Sequence, residues 1–167
     1  VGTIGIICPD EYPLLGLISL IAPVLAMGNT CVVVPSEPYP LAATDLYQVF
    51  ETSDLPSGVV NLVTARHEEV IESISGHMDL DAVWYFGSSG LSSTVEKLSA
   101  TNLKRTWVNH GKQRKWTDIK QGEGQEFLRQ STEGINLWIA SGDSINKGKW
   151  VGSTCLPGRL PTASCLL

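Results

Sequence analysis

Residues 30–35, TCVVVP, are β-branched or apolar at every position up to the closing proline. A strand hydrophobic on both faces is at home in a parallel sheet covered by helices on either side. Further strands are predicted at TIGIICP (3–9), VVNLV (59–63), LDAVWYF (80–86) and KRTWVN (104–109). Helices alternate with them. Residues 14–27 predict a mostly buried helix ending at Gly28-Asn29, the usual left-handed C-cap pair. Pro40 opens a second helix to about Glu51, and LPSG (55–58) is a turn. HEEVIESIS (67–75) is amphipathic with Val70, Ile71 and Ile74 inward, and SSGLSSTVEKLS (88–99) is the fourth helix. Successive βα units predict an α/β fold with a right-handed, doubly wound, Rossmann-like parallel sheet. A charged fraction of only 17% suits a sheet buried on both sides.

Beyond Gly111 the pattern stops. Residues 113–143 read as a polar connection with one candidate strand, NLWIASGD (136–143), and residues 144–167 as an irregular or disordered tail rich in Gly, Ser, Thr and Pro. Residues 1–112 read as part of a domain, because the chain begins inside a strand without an initiator Met, as an incomplete fragment would. The start has no basic n-region, so a signal peptide is not expected, and residues 14–27 are too short and interrupted to span a bilayer.

Charge and cysteines narrow the function classes. A net charge of −5 argues against nucleic-acid binding, and the locally basic Lys112–Lys120 stretch has one aromatic, Trp116, which fits a solvated loop. Cys8, Cys31, Cys155 and Cys165 form no CxxC pair and no small-domain disulfide spacing. Reduced thiols in a cytoplasmic protein are expected, with no metal site. The stretch ICPDEYPLL (7–15) puts Asp10 and Glu11 at the mouth of the first strand-to-helix turn, where α/β enzymes carry chemistry. They read either as catalytic acids or as solvated acids at a helix N-terminus, favoured by its dipole.

Four motifs decide between these. PVLAMGNTCVVVPSEPYPLAA (23–43), LPSGVVNLVT (55–64), YFGSS (85–89) and NLKRTWVNHG (102–111) resemble, in order and spacing, the aldehyde dehydrogenase superfamily. The family's versions are PALAxGNxVVxKPSExTPLxA, LPxGVVNxVxGxG, FTGSTxxG and NLKRxxLELGGK. The resemblance covers residues 1 to about 112, in the cofactor-binding domain, and is closest to the degenerate second domain of the two-domain family 16 type.

The resemblance implies that the reaction groups are altered. The family's P-W-N-x-P turn, whose Asn donates to the oxyanion, is Pro9-Asp10-Glu11-Tyr12-Pro13 here, with Glu11 at the Asn position. An ionised carboxylate has no proton to donate. The Glu that serves as base in L-E-L-G-G is Asn109, and an amide takes up no proton at neutral pH. The G-Q-x-C nucleophile segment, due near Asp143, does not occur, and Cys155 in STCLPG falls too late.

Cofactor positions are better kept. By resemblance Glu37 meets the adenosine ribose, Gly87-Ser88 seat the pyrophosphate at a helix N-terminus, and Cys8, Pro9 and Leu91 complete the set. Val34 replaces the family's Lys, and Ala65-Arg66-His67 replaces G-x-G, so NAD binding is expected to be weak. The expected function is a non-catalytic scaffold or interaction module working with a protein partner or other domains of its parent chain, without nucleic acid or membrane. The rival is part of an NAD(P)-dependent aldehyde dehydrogenase whose catalytic residues lie elsewhere; homo-oligomers are common in that family.

Overall fold

A computed structural model describes residues 2–134 and the strands 137–140 and 150–153. Every strand and helix expected as far as residue 109 is present. The elements are β1 (Thr3–Ile7), α1 (Pro13–Ala26), β2 (Thr30–Val34), α2 (Leu41–Thr52), β3 (Val60–Leu62), α3 (His67–Gly76), β4 (Ala82–Tyr85), α4 (Ser89–Ser99) and β5 (Arg105–Val108). The five strands are all parallel, in the order β3-β2-β1-β4-β5.

Alternation along each strand feeds two cores. Ile4, Ile6, Cys8, Cys31, Val33, Ala82, Trp84 and Phe86 pack with Leu17, Leu20, Ile21 and Val24 of α1. Ile7, Val34, Val83 and Tyr85 face the other way, onto Ile71 and Ile74 of α3 and Val95 of α4. Gly5 is a glycine for a steric reason: a Cβ there would stand 2.7 Å from the Ile74 methyl.

Two local readings change. α1 is buried along one face only, since Leu14, Leu15 and Ile18 are 46%, 38% and 41% exposed. At its end Gly28 alone turns left-handed, at φ 76°, and Asn29 N–H closes back on the Val24 carbonyl at 3.1 Å. Asn29 is instead a buried bridge: its Oδ1 accepts from Gly2 N–H at 2.9 Å and its amide donates to the Ser131 carbonyl at 2.8 Å.

The polar stretch after Gly111 forms α5 (Ile119–Gly122) and α6 (Gln125–Gln130), and it closes a compact unit that runs from residue 1 to Thr132. Trp116 and Phe127, only 4% and 1% exposed, join the α1-side core. A second unit holds β6 (Leu137–Ala140), inside the expected strand 136–143, paired antiparallel with β7 (Trp150–Ser153), which falls in the stretch read as irregular. Cys155, Cys165 and the remainder of 144–167 lie outside the described residues. Among the described residues no helix is long and apolar enough to cross a membrane.

Candidate functional site

The strand order reverses between β1 and β4, and in open parallel sheets a crevice at the carboxyl ends of the strands opens at such a switch point. Here it is a cleft of about 250 Å³ lined by Pro9, Asp10 and Glu11 after β1, Phe86, Gly87 and Ser88 after β4, and Asn109 and Gly111–Arg114 after β5. Topology thus brings together six sequence-singled positions (Pro9, Asp10, Glu11, Gly87, Ser88 and Asn109) from three separate turns. Cys8 lies behind the cleft, fully buried, with its N–H bonded to the Val34 carbonyl at 2.9 Å. Leu91 does not line the cleft; it packs, half-buried, on the α3–α4 side.

On the β4 side the backbone makes the site. Ser88 is the N-cap residue of α4, extended at φ −65° and ψ 151°, and its side chain caps nothing. The first-turn N–H groups of an eleven-residue helix are therefore free of a side-chain partner, which is the arrangement an anion uses. A Cβ on Gly87 would run into the Tyr85 hydroxyl. That phenol lies 3.3 Å from Ser88 Oγ, and burial above all, with the charges of Asp10 and Glu37 added, holds it above the usual tyrosine range.

After β1 and β5, which flank β4, side chains fill the positions. Glu11 Oε1 accepts from the Gln113 amide at 2.9 Å, across the cleft from Gly87. Asp10 and Glu11 do not sit in the first turn of α1, which holds no acid; they precede its left-handed N-cap, Tyr12 at φ 53°. The expectation that Asp10 is simply solvated at a helix start needs correction. Its Oδ1 accepts from the Ser36 hydroxyl at 2.9 Å and from Glu37 N–H at 3.1 Å, tying the turn after β1 to the loop after β2.

That loop leads to the third group of positions. Pro35, Ser36, Glu37, Pro40, Thr64, Ala65 and Arg66 line a separate cavity of about 250 Å³. Glu37 Oε1 accepts from His67 N–H and so caps α3, whose own N-cap, Arg66, offers no side-chain bond. The His67 ring is buried between Pro35 and Glu37, with Nε2 at 3.2 Å from the Pro35 carbonyl and Nδ1 at 3.8 Å from the Glu37 carboxylate. Val34, at the end of β2, is fully buried.

Among the described residues no thiol lines either cavity. Burial pushes Cys31 up to about 12 and Cys8 higher still, with the Cys31 charge a smaller cause for Cys8. Both are uncharged core groups, as β-strand positions predicted. Among the described residues no cluster of three or more His, Cys, Asp or Glu is placed to hold a metal ion. Ser36 stood in the retained Pro-Ser-Glu motif, while Tyr85, Gln113 and Arg114 went unseen in the sequence. Of these only Tyr85 left a signal there, as a phenol at the first position of the FTGS-like motif.

Comparison with known proteins agrees with this geometry. The family profile "Aldehyde dehydrogenase family" matches residues 1–117. The NADP/NAD-dependent aldehyde dehydrogenase PuuC of Escherichia coli strain K12 is 37% identical over 112 residues, covering 66% of this chain and 23% of that protein. Aldehyde dehydrogenase 1A1 of Homo sapiens is also 37% identical, over 66% of this chain and 22% of its own. Among solved structures, indole-3-acetaldehyde dehydrogenase in its apo form aligns with a TM-score of 0.63 and 31% identity, over 66% of this chain and 26% of that one. Betaine aldehyde dehydrogenase from Staphylococcus aureus in complex with NAD+ aligns at 0.61 and 33% identity, over 64% and 21%. The chain thus spans less than a quarter of the length of the curated relatives it matches. With sequence motifs, strand order and family profile in agreement over residues 1–117, the chain belongs to the aldehyde dehydrogenase family.

Proposed function

We propose that this chain is a non-catalytic aldehyde-dehydrogenase-type domain, a scaffold or interaction module that binds NAD weakly and works with a protein partner or other domains of its parent polypeptide, of the two-domain type, in the cytoplasm. One observation carries the reading: Glu11 and Asn109, at the family's oxyanion-donor and base positions, line the same cleft. The site keeps its place and loses its reagents. A carboxylate at the donor position repels developing negative charge, and removal of one such donor costs about 3–4 kcal/mol of transition-state stabilisation. The Gln113 amide engages that carboxylate further.

The residues fit a dinucleotide unevenly. The open first turn of α4 with Gly87 and Ser88 suits a pyrophosphate, and NAD bound there would bring a hydride acceptor. Glu37, the expected ribose contact, already accepts from His67 N–H, and the His67 ring stands where the family has glycine. Val34 offers no charge from inside the sheet. These losses support binding several tenfold weaker than in an intact site, each charge-assisted bond being worth about 1.5–3 kcal/mol.

A second reading, part of a working NAD(P)-dependent aldehyde dehydrogenase completed by residues outside this chain, is favoured by the small share of its relatives that the chain covers. The purified chain, mixed with NAD and a panel of aliphatic and aromatic aldehydes, is expected to give no NADH absorbance above a no-protein control. Heat-labile turnover would overturn the non-catalytic reading.

A further inference from the structure

Family similarity ends at residue 117, yet the compact unit continues to Thr132. The intervening chain is spent on one task. Trp116 and Phe127 stack edge-on against an aromatic patch on β4 and β5: the Phe86–Trp116 ring centroids are 5.5 Å apart, Trp107–Phe127 5.1 Å, Phe86–Trp107 4.9 Å and Trp84–Trp107 4.9 Å. The Arg114 guanidinium lies 4.9–6.0 Å from four of these rings and pairs with Glu126, while its Nε donates to the Gln121 carbonyl. Beyond the patch, Asn29 and Arg105 donate to the Ser131 and Thr132 carbonyls. At the near end Gln113 reaches Glu11, and residues 112–114 with Trp116 form one wall of the cleft.

We propose that residues 113–132 are a built-in strap: an intramolecular cover, latched to the body at Gln113–Glu11 and held to itself at Arg114–Glu126, that closes the aromatic face of β4–β5 and the end of the cleft where Gln113 meets Glu11. This goes beyond the reading above and holds whether or not a dinucleotide binds. Helices of four and six residues have no stability of their own, so this segment is ordered by docking. Its holds on the body are the Trp116 and Phe127 rings on Phe86 and Trp107, the Gln113–Glu11 bond and the carbonyls taken by Asn29 and Arg105. None is a backbone pairing of β1 with β2, so it opens without unpairing those strands. While docked, it shuts that side of the unit to any other domain, second copy or substrate.

Hydrogen exchange on the full chain tests the strap. In the intact protein, amides of 125–131 should exchange about a hundredfold more slowly than in a free peptide. Arg114→Ala and Phe127→Ala, made singly, should speed exchange across 113–131 by about tenfold and leave β1 and β2 unchanged. Acrylamide quenching of tryptophan should rise in both and stay constant in Leu128→Ala, whose side chain is 41% exposed. Free-peptide exchange of 113–131 in the intact chain would overturn the proposal. Equal release of β1 and β2 amides by either variant would also overturn it, since the segment would then be core and not strap.

Discussion

Along the β4 wall of the cleft, Gly87 and Ser88 lead into α4 and present main-chain N–H groups that no side chain caps. On either side of it, Glu11 after β1 and Asn109 after β5 present a carboxylate and an amide, and Gln113 has already taken the carboxylate. The β4 wall depends on backbone geometry and on one absent Cβ; its flanks depend on which functional group each side chain carries. A main-chain anion seat survives many substitutions because every residue but proline brings the same N–H. A proton donor or base is lost in one step.

The largest effect expected concerns the groups behind the walls. With its thiol raised from 9.0 to about 12, Cys31 should have about a thousandfold less thiolate at pH 8 than an unperturbed cysteine. A thiol-reactive disulfide reagent should leave Cys31 unlabelled in native protein and label it on denaturation. Because the folded value lies above the unfolded one, this contribution to stability is complete below pH 9 and is lost as pH climbs toward 12. Rapid native labelling would show that the α1-side core opens at Cys31 and would overturn this expectation.

Next comes the β4 wall itself. Gly87→Ala drives a methyl into the Tyr85 hydroxyl and should cost about 1–3 kcal/mol in thermal unfolding. Pairing it with Tyr85→Phe removes only the oxygen and leaves ring carbons 2.6 and 2.9 Å from the new methyl, so little of that loss should return. A fully tolerated Gly87→Ala would mean the turn needs no glycine.

A smaller effect is expected at the flank after β1. Asp10→Ala removes the acceptor for Ser36 and Glu37 N–H, and should cost about 1–2 kcal/mol, since the residue is exposed. Asp10→Asn, which keeps the acceptor oxygen, should restore most of it. Equal destabilisation by Ala and Asn in denaturant melts would show that charge, and not the hydrogen bonds, holds the two loops together.

How much of this was readable in advance follows from range. Every strand and α-helix to Val108 was legible because β-branched runs, Gly28 and Pro40 act within a few residues of themselves. The cleft was legible only as motifs in order, and their convergence on Glu11, Gly87 and Asn109 is a product of strand order. The strap was not legible. Trp116 and Phe127 stand eleven positions apart in a polar stretch with no helical period, and what they stack on is Phe86 and Trp107, distant in the chain. The Asp10–Ser36 bond joins loops 26 positions apart and leaves no local trace.

The central place of β1 has a consequence for how the unit assembles. Ile4 pairs with Cys31 of β2 on one side and with Ala82 of β4 on the other, closing loops of 27 and 78 residues. Loop-closure entropy makes the second pairing dearer by about 1 kcal/mol before any contact rewards it. The sheet thus has a near half, β1 with β2 and β3, and a far half, β4 with β5, joined by a single late seam. The crevice that holds Pro9, Glu11, Gly87 and Ser88 is that seam, so in folding time the site is made when the two halves meet.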